Sequence, residues 1–164
     1  MTQASRLTRP LIAYRFGDPA DIYPTYSAQG AAKNPGRWNE RGDAVIYASE
    51  RYATAMLEKL AYLNGVTPPK QFFIKITIPS GVSFEAADAK KLKGWNNPDC
   101  VVAREFGHAW YAGKRSAVLF VPSVVAPVER NIVINAKHPD FPRIKPGRKT
   151  RVKWDERLFP KHTP

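Results

Sequence analysis

The strongest constraint on this 164-residue chain is the run Phe72-Phe73-Ile74-Lys75-Ile76-Thr77-Ile78. Phe72, Ile74, Ile76 and Ile78 recur with the two-residue period of a strand, and Lys75 and Thr77 fall on the opposite face. In a helix, Ile76 would point away from Ile74 and Ile78. The run is therefore a half-buried strand, closed by Pro79-Ser80-Gly81 and preceded by the breaker Thr67-Pro68-Pro69. A strand of this kind needs partners and a covering layer. The partners predicted are Leu11–Phe16, Ala44–Ala48, Ala117–Val121 and Asn131–Asn135, each apolar and bounded by turn residues. Two helices complete the pattern. The first follows Ser49, a good N-cap, carries Ala53, Leu57, Leu60 and Ala61 at helical spacing, and stops at Asn64-Gly65. The second begins at Asn97-Pro98-Asp99, carries Val101, Val102, Glu105, Phe106, Ala109 and Trp110, and stops near Gly113. Residues 85–97 read as a polar surface connection with a short helical turn. The order is strand, strand, helix, strand, helix, then further strands. This is a mixed α+β fold without regular βαβ alternation.

A chain of this length forms one domain, here with a core over about 10–142, a weakly ordered basic lead and a basic C-terminal extension over about 143–164. The single cysteine, Cys100, excludes an internal disulfide framework and fits a reducing cytoplasm. No apolar run approaches the ~20 residues of a membrane helix. Twenty-six basic residues against 14 acidic give a net charge of +12, which attracts anions of many kinds without choosing among them.

Phosphate loops, dinucleotide-binding glycine motifs, nucleophile elbows and zinc-helix motifs are missing from the sequence. His108, His138 and His162 lack metal-ligand spacing, and no metal is expected. What remains is the stretch from Gly36 to Glu58, a loop, a strand and a helix in quick succession. Arg37, Tyr47 and Glu58 offer a fixed cation, an aromatic face and a carboxylate. Taken singly, each has a blander reading, as a surface ion pair, a core aromatic and a solvated helix residue.

Their order carries a resemblance. Tyr14-Arg15, Gly36-Arg37-Trp38-Asn39, Tyr47-Ala48-Ser49, Ala55-x-x-Glu58, Val121-Pro122-Ser123, Asn131-x-x-x-Asn135 and His138-Pro139-Asp140 together resemble the RES-domain family, toxins of bacterial toxin–antitoxin pairs. The likeness covers roughly residues 10–142. The family often has glycine where this chain has Pro35, and proline where it has Ala136.

The resemblance implies a fold like that of ADP-ribosyltransferases, with a mainly antiparallel β core and flanking helices, and chemistry on NAD as a substrate. Under it, Glu58 stabilises the positive charge that builds on the ribose as the N-glycosidic bond breaks. Tyr47 stacks on the departing nicotinamide. Arg37 and Arg15 grip the pyrophosphate, and Ser123 bonds a phosphate or the nicotinamide side. The acceptor, whether water, phosphate or a protein side chain, stays open. The implied partner is a cognate antitoxin with a DNA-binding domain. A homo-oligomer is compatible with the sequence, whereas direct nucleic-acid contact is not expected. Two rival classes are a nucleic-acid-binding module using the +12 charge and the Arg143–Lys153 run, and an inactive interaction domain.

Overall fold

A computed structural model describes residues 4–66 and 70–159. The expected breaker Thr67-Pro68-Pro69 lies outside them. The described residues build one nine-stranded sheet with three helices: β1 (Ser5–Arg6), β2 (Leu11–Gly17), α1 (Gln29–Lys33), β3 (Val45–Ser49), α2 (Tyr52–Leu63), β4 (Phe72–Ile78), β5 (Ser83–Ala86), α3 (Val101–Ala112), β6 (Val118–Pro122), β7 (Arg130–Asn135), β8 (Lys145–Pro146) and β9 (Thr150–Arg151). Along the sheet the order is β1-β5-β6-β7-β3-β2-β4-β8, with β9 also on β4. Only β5 and β6 run parallel among the described pairs. The mixed, mainly antiparallel α+β architecture is the one expected.

The alternation in β4 places Ile74, Ile76 and Ile78 in the core, 3%, 0% and 0% exposed, with Lys75 and Thr77 outside. Ile46, Ile132 and Ile134 join them in one cluster. The opposite face of β3, β6 and β7 contributes Val45, Leu119, Val121 and Val133 to a second cluster with Trp38, Ala103 and Trp110. Covered on both faces, β6 reads as a continuous apolar run rather than an alternating one.

Several expectations change. Ser49 does not cap α2. The β3–β7 ladder continues to Ser49↔Asn131, and Glu50 N–H still bonds to Arg130, so the chain stays extended until Arg51. Ala53, Leu57 and Ala61 face outward, because α2 docks through Thr54 and Ala55 and through Tyr52, which meets Tyr14, Phe16 and Phe73. Asn64 does end α2, in the left-handed conformation.

In α3 the first helical residue is Val101 and Asn97–Cys100 is a turn. Its inner face is Ala103, Gly107 and Trp110, not the bulkier Val101 and Glu105 side. Small residues win there because the helix comes very close to the Trp38 main chain. A Cβ on Gly107 would lie 1.8 Å from the Trp38 carbonyl oxygen.

Residues 85–97 hold the end of β5 and turns but no helix. The expected basic lead contributes β1. The expected C-terminal extension contributes β8 and β9, anchored by buried Ile144 and Val152.

Candidate active site

Strands β2 and β3 meet only at Tyr14↔Ser49 and then part. A cleft of about 710 Å³ opens there, lined by Tyr14–Phe16, Gly36–Trp38, Tyr47–Ser49, Glu58 and Asn131, with Tyr62, Val124 and Val125 at an apolar rim. The volume lies within the range of small-molecule sites. Of the sequence-selected residues, Arg15, Arg37, Tyr47 and Glu58 line it.

Glu58 reaches the cleft from the middle of α2. Its Oε1 accepts from Ser123 Oγ at 2.7 Å and from Asn131 Nδ2 at 2.6 Å. Asn131 is oriented in turn by Ser49, whose hydroxyl donates to Asn131 Oδ1 at 2.7 Å. One carboxylate oxygen is thus held by two donors, while Oε2 has no hydrogen-bond partner among the described residues. Two hydrogen bonds at one oxygen fix the plane of the carboxylate.

Ser123 therefore differs from expectation. It is fully buried behind Glu58, accepts from Ala126 N–H at 3.0 Å, and gives its only proton to the carboxylate. It positions Glu58, with no donor left for a phosphate or nicotinamide.

Arg15 sits at the opening of the split. Nε donates to the Thr25 carbonyl at 2.6 Å and Nη1 to the Tyr47 carbonyl at 2.7 Å. Burial pulls its pKa below the ordinary value, with Asp21 acting in the opposite sense. It stays charged at physiological pH, because a guanidinium does not deprotonate in that range. Main-chain carbonyls hold it without cancelling its charge.

Arg37 is held the same way. Nη1 donates to the carbonyls of Trp95 and Asn97 at 3.1 and 2.7 Å. Nε and Nη2 of Arg37 and Nη2 of Arg15 carry no described protein bond. These two cations are fixed in place yet have donors to spare, as an anion site requires.

Tyr47 does more than line the cleft. Its hydroxyl donates to Asn39 Oδ1 at 2.7 Å and accepts from Trp38 N–H at 3.0 Å. Burial pushes the phenol pKa well up. A Cβ on Gly36 would sit 2.8 Å from the Tyr47 ring, so only glycine lets the loop lie against it. Fully buried Asn39 completes the clamp by accepting from Gly36 N–H and donating to the Ala31 and Glu40 carbonyls. Tyr47 and Asn39 thus hold the loop that presents Arg37.

Sequence reasoning did not assign Asn39, Ser49 or Asn131 to the site. Their positions in the quoted fragments were a signal, but a lone asparagine or serine gives no chemical hint of which oxygen it orients. Among the described residues, no three His, Cys, Asp or Glu side chains group as metal ligands, and no helix is long and apolar enough to cross a membrane.

Comparison with known proteins gives the family and the fold. Residues 12–155 match the family described as RES domain. The chain belongs to the RES domain family. A curated relative, "Prs ADP-ribosylating toxin" of Sphingobium sp. (strain YBL2), is 39% identical over 140 residues, covering 82% of this chain and 87% of the relative. "Toxin Res" of Yersinia enterocolitica is 27% identical over 133 residues, covering 80% and 88%. Among solved structures, a chain of the M. tuberculosis MbcT–MbcA toxin–antitoxin complex matches with a TM-score of 0.69 and 16% identity, covering 90% of this chain and 86% of that one. At that identity the likeness speaks for the fold. The RES fold here places its ionic groups on either side of the β2–β3 split.

Proposed function

We propose that this RES domain is the toxin of a toxin–antitoxin pair and cleaves the N-glycosidic bond of NAD. The observation that carries the reading is the pairing of a doubly held carboxylate with two carbonyl-held guanidinium groups in one cleft. Arg15 and Arg37 bind the pyrophosphate through their uncommitted N–H groups. Glu58 Oε2 meets the ribose joined to nicotinamide. When the C–N bond breaks, its electron pair leaves with nicotinamide, which becomes neutral. The ribose carbon is left as an oxocarbenium ion, which the Glu58 carboxylate stabilises. Tyr47 keeps the Arg37 loop in register and offers its ring to the nicotinamide side. An acceptor nucleophile then bonds to the ribose carbon and releases its proton to solvent.

The acceptor best supported is a protein side chain, given the name of the Sphingobium relative. Water and phosphate are the other acceptors of the same intermediate. The partner that restrains this activity is an antitoxin bearing a DNA-binding domain and a segment that occludes the cleft. What supports an antitoxin partner is that the structural neighbour comes from a toxin–antitoxin complex, MbcT–MbcA.

Mass spectrometry of NAD products tests the reading, with and without phosphate and with purified Prs as candidate acceptor. Wild type releases nicotinamide. Glu58→Gln keeps the fold and loses about 10²–10³ in rate. Unchanged turnover in folded Glu58→Gln, or no nicotinamide from wild type, refutes it.

A further inference from the structure

The run from Arg143 to Lys153 takes no part in the cleft. It carries six basic residues and no acidic one. Ile144 and Val152 are buried near its two ends, 2% and 5% exposed. Between them β8 and β9 pair with β4, and Gly147 N–H bonds to the Lys75 carbonyl. The run is therefore fixed on the sheet edge. Lys75 of β4 adds a further cation between the two attachment points. Lys75, Lys145, Arg148, Lys149, Arg151 and Lys153 are all exposed.

Other surface arginines face carboxylates, as in Arg51–Glu129, Arg115–Glu85, Arg130–Glu50 and Arg157–Asp155. Among the described residues, no ion pair reaches the six cations of this strip. Arg143 is engaged with Asp140 and the Ser80 carbonyl, and Lys149 lies over the Phe72 ring at 4.4 Å, which leaves its charge uncancelled. Protection against edge-to-edge pairing does not account for so much charge. Two-residue strands and Pro146 already blunt this edge. Holding many like charges together opposes folding unless something gains from the field.

The composition of the strip selects the class of partner. A protein interface draws its energy from apolar and aromatic anchors. A single-stranded nucleic acid stacks its bases on aromatic side chains. Besides its cations, the strip exposes Pro146, Gly147 and Thr150, and no large apolar residue over 143–153 is exposed. A duplex phosphate backbone needs neither kind of anchor, since its affinity comes from charge and counterion release. We infer that the β4–β8–β9 edge binds the phosphate backbone of duplex nucleic acid without reading bases. This reverses the expectation of no direct nucleic-acid contact, which treated the run as a terminal extension. It is independent of the NAD reading, because none of these six residues lines the cleft.

Fluorescence anisotropy with a short labelled DNA duplex, from about 50 to about 200 mM salt, tests the inference. Wild type is compared with the combined substitution Lys145→Gln, Arg148→Gln, Lys149→Gln and Lys153→Gln. A control removes four lysines elsewhere: Lys90→Gln, Lys93→Gln, Lys114→Gln and Lys137→Gln. Circular dichroism and NAD turnover, both expected unchanged, verify that the strip variant is folded. Removing four phosphate contacts lowers the slope of log affinity against log salt by about 3.6, which is about a hundredfold less salt sensitivity over that range. The control retains most of the wild-type slope. Equal loss in the two variants, or no duplex binding by wild type, overturns the inference. So does binding of poly-L-glutamate through the strip in preference to duplex, which would make it a surface for acidic protein. Absence of NAD turnover in wild type, with its duplex binding intact and lost in the strip variant, would strike the other proposal and leave this one standing.

Discussion

Removing the Asn131 side chain isolates the contact that holds Glu58. Asn131→Ala deletes the 2.6 Å bond from Nδ2 to Glu58 Oε1 and leaves Ser49 Oγ without its acceptor. Ser123 still holds the same oxygen at 2.7 Å, so the carboxylate gains freedom to turn without leaving the cleft. A hydrogen bond to a charged group is worth about 1.5–3 kcal/mol. If that energy is lost from the transition state, the rate falls about 10- to 150-fold. The loss belongs to kcat, because the pyrophosphate contacts of Arg15 and Arg37 are untouched. The assay is nicotinamide release by Asn131→Ala, Glu58→Gln and the double variant, with NAD affinity measured by calorimetry in the Glu58→Gln background. A residue that acts only through Glu58 adds nothing once the carboxylate is gone, so the double variant should match Glu58→Gln. If Asn131→Ala slows the Glu58→Gln protein by the same factor as wild type, Asn131 acts on substrate directly and the reasoning fails. Wild-type turnover in Asn131→Ala would refute it as well.

Arg37→Lys keeps the charge but cannot bond two carbonyls and an anion in the same plane. NAD affinity in the Glu58→Gln background should fall at least about tenfold by calorimetry, and equal affinity would exclude Arg37 from pyrophosphate binding. Gly107→Ala drives a methyl into a main-chain carbonyl that cannot yield cheaply. A destabilisation of about 3 kcal/mol or more is expected, lowering the melting temperature by about 6–12 °C. His108 donates toward Asp43 at 3.0 Å, and that hydrogen bond raises its pKa above the ordinary value. Because the folded value is the higher one, the contribution is fully present below about pH 6.5 and fades as pH rises through the raised value. The melting-temperature gap between wild type and His108→Gln should be widest at mildly acidic pH and close at alkaline pH. A gap independent of pH would show that packing, not charge, accounts for it.

The sheet was legible where burial is one-sided or complete. β4 announced itself through its alternation, and β6 through Val118–Val121, because each pattern records directly which faces are covered. The helix faces were misread because apolar residues at helical spacing were taken to mark the inside. In α3 the closest approach requires Ala103 and Gly107, and in α2 the helix docks through Tyr52 and Ala55, leaving Leu57 outward. The two-residue strands β1, β8 and β9 carry too few residues for any periodicity. Their places are set by partners far along the chain, such as Phe84 for Ser5 and Ile76 for Pro146. Arg15, Arg37, Tyr47 and Glu58 were legible, through the resemblance, as residues that share one cleft. The groups that orient them were not, since what Asn131 or Ser49 bonds depends on which strand lies beside it.

That dependence follows from the β2–β3 split. Ser49 sits at the single point where β2 and β3 pair, and also opposite Asn131 in the β3–β7 ladder. The residue that marks the apex of the cleft thus orients the amide that holds the carboxylate. On the other wall, Arg15 of β2 donates to the Tyr47 carbonyl of β3 just beyond the apex. The width of the split and the placement of both ionic groups are therefore tied to the same strand. A change that slid β3 by one residue would exchange its faces and turn Tyr47 and Ser49 to the Ile46–Ala48 side, away from the cleft. The clamp on Arg37 and the orientation of Glu58 would then be lost together. The fold holds this register through five consecutive pairs between β3 and β7, with Val45, Ile46 and Ala48 buried on the two faces of the strand. The apolar core of β3 is thus what keeps a cation and a carboxylate on opposite sides of one cleft.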